Sequence, residues 1–140
     1  MSGRGPAYAV AMEIHDAFAR SDYFRMAALY ARDIEWVMHA SPTIFPVGGR
    51  RRGKSAVFLM LLNVSLHYRF DNYEIEDVIA EGEWAAAVAD VTITQRATGR
   101  IIRCRAASFN QVRDGKVVAY RGFIDSFDAA EQVLGRVIVP

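Results

Sequence analysis

Residues 101–125, IIRCRAASFNQVRDGKVVAYRGFID, decide how this chain folds. Two runs of alternating character, Ile101 to Arg113 and Lys116 to Asp125, flank Asp114-Gly115. Asp-Gly at that place predicts a tight hairpin, because both central residues can take positive φ. Moving backward, Thr98-Gly99 separates this pair from Trp84 to Gln95, and Glu81-Gly82 separates that run from His67 to Ile79. Four strand-like runs joined by turns, with no helix between them, make an antiparallel meander.

The first half has a different period. Val10, Ile14, Ala17 and Phe18 recur at helical steps between Ala7 and Arg20, with Glu13, Asp16 and Arg20 elsewhere around the wheel. Ser21-Asp22 starts a second helix whose stripe is Tyr23, Met26, Ala27 and Tyr30. Asp33 to Met38 reads as a strand, and the Ser-Pro, Phe-Pro and Gly-Gly pairs that follow mark an irregular loop. Ser55 to Leu66 is apolar almost all round, so that helix is covered on more than one side or roofs a cavity. Ser126 is placed to cap a last helix over residues 127–134, ended by Gly135.

The chain's 140 residues suit one domain, 1–140, and no repeat or linker divides them. With 17 Lys and Arg against 16 Asp and Glu, no global field favours nucleic acid or an acidic membrane. Cys104 alone excludes an internal disulfide and fits a reducing, cytoplasmic setting. Glu13, His15 and Asp16 interrupt any secretory apolar run, and no stretch approaches the ~20 apolar residues of a membrane span.

Gly48-Gly49-Arg50-Arg51-Arg52-Gly53-Lys54-Ser55 matches the phosphate-loop pattern and is a remote nucleotide-binding alternative. The match needs a buried parallel strand before it and strand–helix–strand crossovers around it. Pro42 and Pro46 interrupt the approach, and the meander has no crossovers. The favoured reading of Arg50 to Lys54 is a solvated basic loop leading into the third helix.

The order of elements, with Ser21-Asp22, the run Ala28 to Trp36, Gly53 to Val57, Val112 to Val117 and Phe123-Ile124-Asp125, resembles the nuclear-transport-factor-2-like superfamily and its SnoaL-like, polyketide cyclase-like branch. The resemblance covers nearly the whole chain and implies an α+β fold. In it, a cone-shaped roll of curved antiparallel sheet packs on three helices from the first half and closes with a short C-terminal helix. The same fold hosts isomerases, cyclases, hydratases and noncatalytic binders, so it leaves the activity open. The positions that carry the ketosteroid-isomerase set fall near Ile14, Trp36 and Ser108, and that of the limonene-epoxide-hydrolase base falls at Gly122. Neither set matches.

The resemblance to SnoaL-like cyclases implies Asp125 as a general acid/base at the end of the last strand, although an Asp before a helix is ordinarily a cap. His67 with Asn72 resembles a His and Asn spacing in such relatives, and His39 follows the first strand where this fold opens its pocket. Asp90, which interrupts the small-residue run Ala85 to Val91, is the second acidic candidate. His15 lies off the first helix's main apolar stripe and reads as structural or surface histidine. Trp36, Phe45, Phe58, Leu62 and Tyr120 are candidate pocket walls, or ordinary core. Strand alternation turns Ser108 and Asn110 to the cavity side and Arg103, Arg105, Phe109, Gln111 and Arg113 to the other, toward water or a homodimer interface. The expected partner is a small apolar or weakly polar molecule. It is held with no metal or organic cofactor, and acted on by acid/base chemistry of cyclase, isomerase or hydratase type or simply bound.

Overall fold

A computed structural model describes residues 5–139. Helix α1 (Gly5–Ala19) and helix α2 (Tyr23–Leu29) precede strand β1 (Tyr30–His39). Strand β2 (Gly49–Arg52) then leads into helix α3 (Lys54–His67). Strands β3 (Tyr68–Glu81), β4 (Trp84–Gln95), β5 (Ile101–Arg113) and β6 (Lys116–Ile124) form the meander, and helix α4 (Ser126–Leu134) ends it. No helix among the described residues is long and apolar enough to cross a membrane.

The hairpin between β5 and β6 turns on Asp114 at φ 51° and Gly115 at φ 73°, the two positive values its sequence predicts. The α+β class and the curved sheet are as expected, but the sheet is not wholly antiparallel. Its order is β2-β1-β6-β5-β4-β3, and β1 runs parallel to β6. That pairing joins segments some eighty residues apart, so no local turn announces it.

Strand β2 replaces the expected basic loop. Gly49 to Arg52 pairs antiparallel with β1, setting Arg51 opposite Trp36. An extended, paired segment does not close the loop that a phosphate cradle requires, and the strand it pairs with is antiparallel to it. Arg51 is half-buried and holds the preceding chain in place. Its guanidinium donates to the carbonyls of Pro46 (2.9 Å), Gly48 (2.8 Å) and Val47 (3.3 Å), and stands 5.6 Å from the centre of the Trp36 ring. Burial lowers its pKa. Gly48 passes so close to Ala40 that a Cβ there would strike the Ala40 carbonyl oxygen. The Ala40–Gly48 segment is thereby strapped over the sheet.

The helices pack on one sheet face. Helix α1 buries Ala7, Ala11, Ile14, His15 and Ala17 against β3, β4 and β5. Helix α3 buries Val57, Met60, Leu61 and Val64, and α4 buries Ala129, Ala130 and Val133. The other sheet face is open. It carries Ile79, Trp84, Phe109 and Phe123, exposed by 73, 37, 40 and 41%. Phe123 stacks on His39 at 4.5 Å and meets Phe109 edge-on at 6.1 Å.

Candidate functional site

Between the helices and the concave sheet face lies a cavity of about 130 Å³. Its walls come from every layer. Ile14, His15 and Phe18 project from α1, Leu61 and Val64 from α3, and Phe45, Pro46 and Val47 from the strapped segment. The sheet supplies Trp36 and Met38 from β1, Val91 and Ile93 from β4, Cys104, Ala106 and Ser108 from β5, and Tyr120 and Ile124 from β6. The β5 contributors are spaced by two because alternate strand residues share a face. Among the described residues no carboxylate, lysine or arginine lines the cavity.

The titratable groups at the cavity have shifted proton equilibria, each with burial as the first cause. Tyr30, Tyr73 and Tyr120 are pushed well above the ordinary phenol value, and Tyr30 is raised further by its proximity to Tyr120 and Tyr73. The Cys104 thiol is also raised, by burial and then by Asp128, Asp125 and Asp90. These groups stay protonated near neutrality. His15 goes the opposite way, because burial disfavours its cation, and its pKa falls to about 4. Its Nδ1 lies 2.9 Å from the Tyr73 hydroxyl, and the rings stack with centres 5.9 Å apart. Its Nε2 is buried with no hydrogen-bond partner among the described residues. Phe18 holds Tyr73 edge-on at 4.9 Å.

Of the expected wall residues, Trp36, Phe45, Ser108 and Tyr120 meet at the cavity. Trp36 and Tyr120, partners across β1 and β6, stack at 5.1 Å with planes 13° apart. Phe58 instead packs on Phe24 at 5.0 Å, between α2 and α3, and Leu62 packs into the core beside the cavity wall. Asn110 points to the expected side and is completely buried, but it does not line the cavity, and both amide atoms lack partners among the described residues.

The four proton-transfer candidates lie outside. Asp125 is the N-cap of α4, exposed, accepting from the backbone N–H of Asp128 at 3.4 Å. Asp90 is exposed on the outer sheet face between Glu74 and Arg105 in register. His67 ends α3 instead of beginning a strand, and its Nδ1 lies 2.9 Å from the Asn63 carbonyl oxygen. His39 stacks on Phe123 on the outer face. The structure thus moves the titratable chemistry of the cavity from these residues to His15 and the tyrosines. Sequence reading missed His15 because Ala7 and Ala11, eight and four residues before it, are small and weigh little in a hydrophobic pattern. They nevertheless mark the buried stripe.

The family model for a SnoaL-like domain matches residues 11–120. A candidate isomerase from Rhodopseudomonas palustris is similar in structure at TM-score 0.82 and 27% identity, over 96% of this chain and 100% of that one. An NTF2-like protein from Burkholderia xenovorans LB400 is similar at TM-score 0.78 and 25% identity, over 91% and 95% of the two chains. TerC, co-crystallised with polyporic acid, shares the fold at TM-score 0.78 and 17% identity, over 93% and 99%. No curated protein matches the sequence.

Proposed function

We propose, for a chain that belongs to the SnoaL-like domain family, that its cavity takes up a small, uncharged and mostly apolar molecule. The observation that carries this is the lining, which is mostly apolar and contains no charged side chain among the described residues. Burying a charged ligand there would leave its charge unpaired, at a cost of several kcal/mol or more. Trp36, Phe45, Ser108 and Tyr120 are the wall residues that would touch it. That TerC was co-crystallised with polyporic acid fits a fold that houses small organic molecules. A cytoplasmic setting belongs to the same reading, with Cys104 kept as a thiol.

Tetralin, an uncharged bicyclic hydrocarbon, is a direct probe. At a hundredfold excess over its Kd it should stabilise the folded chain by about 2.7 kcal/mol, read as a rise in Tm. Ala106→Phe, which fills the cavity from β5, should fold and show no rise. A rise produced by ATP with Mg²⁺ and not by tetralin would contradict the reading and restore the phosphate-loop alternative.

A second reading concerns chemistry. Acid/base turnover of the bound molecule is favoured by one observation, the His15 and Tyr73 pair inside the cavity, and it would run through those residues and not through Asp125 or Asp90.

The open sheet face supports a homodimer. Ile79, Trp84, Phe109 and Phe123 give that face its apolar surface, with Arg105 and Arg121 among them on β5 and β6 and Asp77 and Asp90 on β3 and β4, a pattern able to meet a second copy of itself. Phe109→Glu should convert a dimer into a monomer by light scattering without loss of the fold. A wild-type chain that is monomeric at a concentration of about 100 μM would contradict this.

A further inference from the structure

We propose that His15 is the specificity-determining donor of the cavity. Its Nε2–H would anchor an acceptor oxygen, as on a ketone, carried by an otherwise apolar skeleton, and Tyr73 would act as the positioning residue that fixes this tautomer. The inference rests on the cavity reading above and adds the chemical class of what the cavity selects.

With burial lowering its pKa to about 4, the imidazole is neutral at pH 7 and carries one N–H. Among the described residues no charged side chain lines the cavity to change that, and the other titratable groups facing it, Tyr30, Tyr68, Tyr73, Tyr120 and Cys104, are all held in their neutral forms by burial. Among the described residues the Tyr73 hydroxyl has His15 Nδ1 as its hydrogen-bond partner. If Nδ1 carried the proton and donated to Tyr73, both the Tyr73 O–H and the Nε2 lone pair would be left unmet in an apolar enclosure. If instead Tyr73 donates to Nδ1, one group is left over, the Nε2–H. A buried polar group without a partner is costly, so the second arrangement wins by one such group.

The remaining N–H is the unpartnered Nε2 of a side chain only 4% exposed, on a residue that lines the cavity. A ligand that supplies an acceptor satisfies it. A pure hydrocarbon does not, and a ligand that supplies only a donor would have to reverse the tautomer and strand the Tyr73 hydroxyl. A neutral imidazole donor can also polarise a carbonyl without placing a cation in the cavity.

The experiment compares 1-tetralone with tetralin, which share a skeleton and differ at one oxygen. For the wild-type chain, His15→Leu and Tyr73→Phe, both affinities are measured by calorimetry, and ¹⁵N-histidine NMR reads the His15 tautomer. His15→Leu should lower the ratio of tetralone to tetralin affinity about five- to tenfold, the worth of one hydrogen bond. Tyr73→Phe should lower it by less and turn a pure Nε2–H signal into a mixture of tautomers, a change that a purely structural role would not produce. The carbonyl stretch of bound tetralone should move to lower frequency in the wild type and return in His15→Leu. If His15→Leu fails to fold, the Tyr73→Phe tautomer and the wild-type carbonyl frequency still decide. An Nδ1–H tautomer in the wild type, or a ratio unchanged by both variants while tetralin still binds, overturns the inference and leaves the cavity reading standing. Failure of the wild type to bind either compound overturns both.

Discussion

Lowering the pH from 7 to 4 should remove about 3 kcal/mol of folding stability through His15 alone, given a pKa of 6.5 unfolded and about 4 folded. The folded chain keeps this imidazole neutral where the unfolded chain would protonate it, so between these two values the unfolded state binds more protons. Stability therefore falls as pH drops through the window and is fully present above it. Urea unfolding at half-unit pH steps measures the slope. His15→Leu should flatten the curve between pH 6.5 and 4. The surface carboxylates do not confuse this comparison. Asp71, held by hydrogen bonds from Thr94 and Arg69, Glu76, held by Arg105, and Glu83, held by Arg113 and Gln111, all lie below the ordinary carboxylate range and are shared by both chains. A wild-type chain as flat as His15→Leu would mean that His15 is not buried neutral in the cavity.

Trp36→Ala should destabilise the chain by about 3–5 kcal/mol, the usual cost of emptying a large aromatic site in a core. Trp36 is buried at the join of three elements. It stacks on Tyr120 of β6, faces Arg51 of β2 across the sheet register, and lines the cavity from β1. Its loss removes the surface on which Arg51 rests, and Arg51 in turn holds Pro46, Val47 and Gly48. The damage should therefore reach the strapped segment, and tetralin binding should fail even at temperatures where the variant is folded. Trp36→Phe keeps a ring against Tyr120 and should recover most of the stability. Chemical denaturation of both variants checks the order, and equal loss in the two would show that stacking on Tyr120 is not what the site supplies.

The parts of the fold legible in sequence are those governed by neighbours in the chain. Strands β4 and β5 begin and end where their turns predict, because Gly82, Gly99 and Asp114-Gly115 carry local turn chemistry. Strand β2 was not legible. Gly49-Arg50-Arg51-Arg52 has no apolar alternation, and it is extended because β1 lies beside it. The site divides along the same line. Trp36, Ser108 and Tyr120 follow from strand alternation, whereas Phe58 and Leu62 sit on a helix apolar nearly all round, whose pattern cannot say which face is inside. Leu61 and Val64 hold the cavity-facing positions there. The acidic candidates were drawn from strand ends and interruptions, where solvent or a helix cap satisfies a carboxylate more readily than an apolar cavity does. His15 became visible only when the sheet placed Tyr73 against it, a partner 58 residues away.

The central claim is that the cavity is where the ligand sits. Intermolecular NOEs between tetralin and methyl-labelled chain test it most directly. Contacts are expected to the methyls of Leu61, Val64, Val91, Ile93 and Ile102, which line the cavity from α3, β4 and β5. Contacts confined to Ile79 on the open sheet face, or none at saturating tetralin, would contradict it.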